Sequence, residues 1–219
     1  MTRPRALVRS DDIGSLTAEG REQMRAYGVT TVVDLRAQSE LDGTFDPRFP
    51  RPAGDRFRLS GVEYVHRALV DDASLKRLGD ASNMYERYLL MLDTRREAFR
   101  DIFDAIAETE GGVLFHCFAG KDRTGLVAAL VLELAGVEAD DIAADFAETD
   151  VQLAQQYERW IEQTAPEKRD EMRDELRCPP DRILGVLDFL ETKWGGVASY
   201  LEAAGMTQSN IDLVRAKLA

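Results

Sequence analysis

The stretch that decides the reading is His116-Cys117-Phe118-Ala119-Gly120-Lys121-Asp122-Arg123-Thr124-Gly125. Ahead of it, Gly111-Gly112 leads into Val113-Leu114-Phe115, a short apolar run that reads as a buried strand. Behind it, Leu126 to Leu134 is almost wholly apolar and helix-forming, so the ten residues read as a tight loop between a strand and a helix N-terminus. Such a loop aims successive backbone N–H groups at one point, and the helix dipole adds partial positive charge there. That arrangement suits a phosphate dianion. A thiol at the front of the loop stands in the same field, so Cys117 is expected to be a thiolate at neutral pH. Arg123 closes the loop with a planar fork that can hold two phosphate oxygens at once, which a lysine cannot do. The backbone from Phe118 through Ala119, Gly120, Lys121 and Asp122 to Arg123 is the expected phosphate cradle. A purely structural cysteine in a strand-to-helix turn would leave the arginine and the glycine unexplained. A Walker A loop fails on residue type, because Phe115 stands where its first Gly belongs and Asp122 where Ser or Thr should follow the Lys.

Outward from the loop, strands and helices alternate. Ala6-Leu7-Val8 reads as a short strand, and Thr17 opens a helix that ends at Tyr27-Gly28. The β-branched run from Thr30 to Val33 continues through Asp34-Leu35-Arg36 as a buried strand. It places Asp34 and Arg36 at a C-terminal strand edge, where open α/β sheets carry ligand sites. There Arg36 either braces the phosphate loop or a substrate, or forms a structural ion pair, with Glu40 as a candidate partner. Residues 42–60 read as irregular, with Arg48, Arg51, Arg56 and Arg58 offering either a basic rim for acidic substrates or a solvated loop. Val62 to Val65 gives a third strand that runs out into Asp71-Asp72. Residues 81–110 read as two helices parted near Asp93-Thr94, with Met84, Tyr88, Leu89, Leu92, Phe99, Ile102, Phe103 and Ile106 facing the core. Beyond the loop, residues 139–147, 151–163, 167–176, 181–194, 197–204 and 209–218 all read as helical. The charge-laced segment 151–176 is expected to lie either on the surface or as a helical cap over the site. This alternation predicts an α/β fold, with a mainly parallel central sheet flanked by helices and a helical C-terminal part, in a single domain spanning residues 1–219.

Composition narrows the class. The 219 residues carry a net charge of −12, which repels nucleic acid and anionic membrane surfaces, so neither a nucleic-acid partner nor stable membrane association is expected. No apolar run approaches the ~18 residues of a membrane span. Two cysteines, one of them the candidate nucleophile, fit a reducing compartment, and a cytoplasmic protein is expected. Cys178 reads as a packed or exposed spectator rather than a redox partner. Two histidines supply no metal cluster, and neither metal nor other cofactor is expected.

His116, Cys117, Arg123 and Thr124 match H-C-x5-R-[ST], and in this the chain resembles the cysteine-dependent protein tyrosine phosphatase superfamily. The loop, together with VRSDDIGSLTAEG, TTVVDLRAQSE, the VDD after the third strand and WGGVASYLEAAGM, resembles a bacterial branch whose loop reads HCxxGKDRTG. Some members of that branch are broad-specificity, virulence-type phosphatases. The Asn-x-Arg-Asp segment that usually precedes the first strand there is missing, which implies an abbreviated start or an altered sheet edge. The resemblance implies hydrolysis of a phosphate monoester through a phosphocysteine: Cys117 attacks, while Arg123 and the loop N–H groups hold the equatorial oxygens. A carboxylic acid then protonates the leaving oxygen. By family position that acid is Asp72, with Asp71 next and Asp122, inside the loop, as the rival. Thr124 is expected to hydrogen-bond the thiolate, and His116 to orient the loop through a backbone bond. A Lys at position 121 is also similar to lipid-directed members, which use an extra cation for polyphosphorylated head groups. The expected substrate is a phosphotyrosine or other phosphorylated protein. Phosphoinositide or inositol phosphate is the alternative, and a non-catalytic phosphate-binding module is a third reading.

Overall fold

Four short runs of β-branched and apolar residues form the sheet in a computed structural model of the chain, which describes residues 4–44 and 59–219. They are β1 (Leu7–Ser10), β2 (Val29–Asp34), β3 (Glu63–His66) and β4 (Gly112–His116), paired in parallel throughout in the order β1-β4-β2-β3. The register aligns Ser10 with His116, His116 with Asp34, and Asp34 with His66. These four residues form one row along the C-terminal edge of the sheet.

The side-chain period of two then divides the core. Val32 and Leu114 point to one face, where Ile13 and Val29 join them in a small cluster with Leu16 and Met24 against it. Val33, Val113 and Phe115 point to the other face and enter the main core. Helix α1 (Ala18–Ala26) covers the first face; Thr17 caps it, its Oγ1 accepting from the Gly20 N–H at 3.1 Å.

The main core is built by α4 (Met84–Thr94), α5 (Arg96–Glu108), α6 (Asp122–Leu134), α7 (Ala139–Gln152), α10 (Pro180–Trp194), α11 (Val197–Ala203) and α12 (Gln208–Leu218), numbered after the short α2 (Gln38–Leu41) and α3 (Asp72–Leu78) and the outlying α8 (Ala154–Gln163) and α9 (Arg169–Leu176). Helix α6 is apolar all round because it runs through this core, with Leu126, Val127 and Leu130 fully buried. Each such side chain contributes about 1.5–3 kcal/mol of burial. Phe99 and Tyr200 meet edge to face at 5.9 Å, and the Tyr200 hydroxyl donates to the Leu92 carbonyl at 2.8 Å.

Several boundaries differ from expectation, among them the end of β2, which stops at Asp34 and leaves Arg36 beyond the strand. The helix after the loop starts at Asp122 rather than Leu126, because polar residues 122–124 form its first turn before the apolar pattern begins. The helix read as 139–147 runs on to Gln152, and the chain then bends at Leu153 (φ −98°, ψ 4°) before α8 starts. A local backbone kink of this kind leaves no gap in the amphipathic pattern. The arginines of the expected basic rim, Arg48, Arg51, Arg56 and Arg58, lie outside the described residues. Among the described residues no helix is long and apolar enough to cross a membrane.

Candidate active site

Between His116, the last residue of β4, and Asp122, the first of α6, the chain has only Cys117 to Lys121 in which to turn. Gly120 makes this possible. Its φ of +69° disfavours any side chain, and a Cβ there would lie 2.6 Å from the Ser10 carbonyl and 2.7 Å from the Asp11 nitrogen. The loop is thus pressed against the end of β1. Arg9, on that strand, pins it: its Nη2 donates to the Gly120 carbonyl at 3.1 Å and to Thr149 Oγ1 at 2.9 Å, and its Nη1 reaches Asp145 Oδ2 at 2.7 Å. Cys117 is 2 % exposed, at the front of this turn.

Arg123 is gripped by Glu40. Nη1 donates to Oε2 at 2.5 Å and Nη2 to Oε1 at 2.8 Å, a two-pronged pair whose carboxylate is 1 % exposed and whose guanidinium is 13 % exposed. Glu40 is itself oriented by the Ala37 N–H, which donates to Oε2 at 2.7 Å. Burial works to lower the pKa of Arg123, but the neighbouring charges of Cys117 and Glu40 outweigh it and raise it, so the guanidinium stays charged. Glu40 therefore does not pair with Arg36, as the sequence suggested. Arg36 is held by Asp34, 2.6 Å from Nη2 to Oδ2, and by Asp12, 3.0 Å from Nη1 to Oδ1. Its proximity in sequence to Glu40 misled because Asp34 is nearer in space, on the same strand end.

Below the loop this cluster forms a buried polar floor. The Tyr64 hydroxyl donates to Asp34 Oδ2 at 2.8 Å, and His66 Nε2 donates to the Arg36 carbonyl at 2.8 Å. Burial pushes the Asp34 carboxyl up, but the Arg36 bonds and the nearby charges hold it below the ordinary aspartate value. His116 is fully buried; its Nδ1 donates to the Cys117 carbonyl at 3.0 Å, and its Nε2 lies 3.5 Å from Asp34 Oδ2. Burial lowers the pKa of His116, so the ring is neutral at pH 7. This is the backbone contact expected of it. Among the described residues the buried Thr124 hydroxyl has no hydrogen-bond partner, so the bond to the Cys117 sulfur expected of it is not made in this structure.

The three candidate acids stand in different surroundings. Asp122 Oδ1 accepts from the Tyr88 hydroxyl at 2.5 Å and from Lys121 Nζ at 2.7 Å. Burial would raise its pKa, but the Lys121 charge and these bonds lower it. Asp71 caps α3, accepting from the Ser74 N–H at 2.8 Å, and pairs with Arg95 at 2.5 Å; the cap bond, followed by the arginine, lowers its pKa. Both carboxyls are held ionised. Asp72 is exposed in the first turn of α3, where Oδ1 accepts from the Ser39 N–H at 3.1 Å and the Ser39 hydroxyl at 2.5 Å. Ser39 and Glu40 are neighbours on α2, so this single turn holds both Asp72 and Arg123.

On the far side of the loop, Lys121 is 3 % exposed, and its Nζ also donates to the Glu175 carbonyl of α9 at 2.8 Å. Phe118 stacks on Trp160 of α8, with ring centroids 6.4 Å apart and planes at 30°. Segment 151–176 therefore contacts the loop at two points. Cys178 is buried, and burial pushes its thiol up to about 12. The sequence did not single out Arg9, Ser39 or Trp160, and it assigned Glu40 to the wrong arginine. Arg9 and Ser39 lie inside the quoted VRSDD and DLRAQSE stretches, but their partners are 111 and 33 residues away.

Comparison with known proteins agrees with this geometry. A model of the tyrosine phosphatase family matches residues 1–219. A tyrosine-protein phosphatase of Nostoc commune is 31% identical over 223 residues, covering 97% of this chain and 74% of that protein. The triple specificity protein phosphatase PtpB of Mycobacterium tuberculosis is 30% identical over 252 residues, covering 99% of this chain and 91% of that protein. A putative tyrosine-protein phosphatase of Cupriavidus necator is 32% identical over 157 residues, 68% of this chain and 55% of its own. With a family model matching residues 1–219 and relatives 30–31% identical along nearly all of it, the chain belongs to the tyrosine phosphatase family.

Proposed function

We propose that this chain is a protein-tyrosine or broad-specificity phosphoprotein phosphatase, a cysteine-dependent phosphoric monoester hydrolase that forms a phosphocysteine on Cys117. The observation that carries the reading is the Glu40 grip on Arg123, which fixes a charged fork at the loop's end in a field that includes Cys117. A phosphate seated there meets the fork, the first N–H groups of α6 and the Cys117 sulfur together. In the first step the sulfur attacks phosphorus in line; the S–P bond forms as the P–O bond to the leaving group breaks. Asp72 gives its proton to the leaving oxygen, then takes one from the water that cleaves the S–P bond and releases inorganic phosphate. Asp72 suits this role better than its rivals because α2 joins it to the arginine, while Asp71 is tied to Arg95 and the α3 cap and Asp122 to Lys121 and Tyr88. The Thr124 hydroxyl, with no partner among the described residues, is available to stabilise the thiolate as it leaves.

Phosphoprotein is favoured over phosphoinositide because the ammonium of Lys121 is engaged by Asp122 and the Glu175 carbonyl. The same lysine and the Phe118–Trp160 stack support segment 151–176 as a helical cap on a single domain. Two free cysteines suit a reducing, cytoplasmic setting. The test is release of inorganic phosphate, with EDTA present, from a phosphotyrosine peptide, a phosphoserine peptide and a phosphoinositide. Turnover of the peptides ahead of the lipid is expected. Preference for the lipid would overturn the substrate assignment, and no release from any substrate would favour a phosphate-binding module.

A further inference from the structure

Arg9 lies on β1, an edge strand of the sheet, and its side chain is 21 % exposed. The guanidinium stands where strand, loop and helix meet. Nη1 donates to the Asp145 carbonyl at 3.2 Å and to Asp145 Oδ2 at 2.7 Å, while Nη2 divides between Thr149 Oγ1 at 2.9 Å and the Gly120 carbonyl at 3.1 Å. Two glycines make room for it. A Cβ on Gly125, in the first turn of α6, would press on the Phe146 ring at 2.9 Å, and the next group it would meet is Arg9 Nη2 at 3.7 Å. Gly120 lets the loop lie against Ser10 and Asp11, within reach of the residue just before them. A tie between β1 and α7 would be complete with Asp145 and Thr149, so the bond to Gly120 calls for a separate reason.

We propose that Arg9 is a positioning residue for the phosphate cradle, holding the Gly120 carbonyl outward so that the Lys121 N–H of the same peptide points at bound phosphate. The proposal rests on the phosphatase reading above and goes beyond it, because Arg9 acts through the loop backbone and not on the substrate. A trans peptide is planar, with its C=O and N–H on opposite sides. Fixing the carbonyl against β1 and α7 therefore sends the Lys121 N–H the other way, toward the side on which Cys117 and the first N–H groups of α6 converge. The helix itself fixes only the following peptide, whose Lys121 carbonyl accepts from the Gly125 N–H at 2.7 Å. Lys121 is not yet helical (φ −91°, ψ −82°), which leaves the tilt of the peptide before it to Arg9. A carbonyl that accepts from a cation also polarises its own amide, and the N–H at the other end becomes a stronger donor.

The experiment measures kcat and KM on a phosphotyrosine peptide, competitive inhibition by inorganic phosphate, and melting temperature, for the wild type, Arg9→Ala and Arg9→Lys. Arg9→Ala should raise the phosphate inhibition constant and lower kcat/KM by about 10- to 100-fold, the scale on which a misplacement of about 1 Å acts. Arg9→Lys keeps the charge but not the fork, and should lose less. A cavity of about 190 Å³, lined by Arg5, Leu7, Phe115, Asp145 and Leu218, opens beside Arg9. Methylguanidinium can therefore enter the space vacated in Arg9→Ala and should recover part of its phosphate affinity, with no gain in the wild type. A lower melting temperature with kcat/KM and phosphate inhibition within twofold of the parent would reduce Arg9 to a strand-to-helix tie and overturn the proposal. So would a loss that neither methylguanidinium nor Arg9→Lys relieves. A second measurement needs no substitution. Titration of the wild type with inorganic phosphate, followed by amide NMR, should move the Lys121 amide proton downfield together with its neighbours in the cradle. Shifts in the neighbouring loop amides that bypass Lys121 would refute the role of Arg9 and leave the phosphatase reading standing, whereas silence from every loop amide would overturn both.

Discussion

Glu40→Gln separates the role of the arginine's position from that of its charge. The native carboxylate accepts two charge-assisted hydrogen bonds from Arg123, at 2.5 and 2.8 Å, and is 1 % exposed. Glutamine keeps one acceptor oxygen but turns the other atom into a donor, which then faces an N–H of the guanidinium. One charge-assisted bond is worth about 1.5–3 kcal/mol. Breaking a buried pair outright costs about 3–5 kcal/mol, because the surviving charge is left without compensation. The variant should therefore lose about 2–4 kcal/mol of stability, between a single lost bond and a broken pair. In a urea titration this appears as a lower midpoint with an unchanged slope. Saturating inorganic phosphate should recover part of the loss, since a bound dianion supplies the missing counter-charge and binds only the folded state. The arginine remains but is no longer aimed, so kcat/KM should fall by about 10- to 100-fold, less than the ~10²- to 10³-fold expected when a transition-state donor is removed altogether. Activity within twofold of the parent, together with an unchanged urea midpoint, would refute the claim that Glu40 positions Arg123.

Other expectations follow from the same contacts. Asp72→Ala should lower kcat by about 10²- to 10⁴-fold, most of all with a poor leaving group, whereas Asp122→Asn, which keeps an acceptor oxygen for Tyr88 but removes the charge facing Lys121, should act chiefly on stability. The reverse ranking in steady-state kinetics would move the acid role to Asp122. Gly120→Ala should abolish turnover and destabilise the fold, since its Cβ would press on the Ser10 carbonyl and the Asp11 nitrogen at a positive φ; a variant with normal kinetics and melting would show that the loop tolerates displacement. Asp71 has a lowered folded pKa, so its stabilising effect is complete above the ordinary aspartate value of about 3.9 and is lost as pH falls through the folded value. Below about pH 4, Asp71→Asn should accordingly lose less stability on acidification than the wild type. Parallel acid limbs in the two proteins would contradict this.

Residues that act through local pattern were legible in the sequence. Cys117, Gly120 and Arg123 lie within seven residues of one another, and the flanking apolar runs place them together in a tight loop between a strand and a helix without reference to anything distant. The parallel sheet followed from strands separated by helices, and the core faces of α4 and α5 from their helical period. Partner choice was a different matter. Arg36 has Asp34 two residues away and Glu40 four away, and charge alone does not decide between them. The outcome depends on α2 turning Glu40 toward a helix that begins more than eighty residues later in the chain. The same holds for Asp71 and Asp72. Adjacent in sequence and alike in charge, they differ because Arg95 and the Ser74 N–H take one while Ser39 takes the other. Lys121 reads as a free cation for substrate until α9 is seen to offer it a backbone carbonyl.

The account stands most directly on the bond it assigns to Cys117. Rapid acid quenching of the enzyme during turnover of a phosphotyrosine peptide, followed by mass spectrometry of the peptide that spans residues 112–123, would show that bond. The account predicts a phosphoryl group on Cys117 in the wild type, accumulating further in Asp72→Ala with an ester whose good leaving group keeps the first step fast while loss of the base slows the second, and absent from Cys117→Ser, which should also release no phosphate. Continued turnover by Cys117→Ser, or a phosphoryl group carried by a different residue, would contradict it.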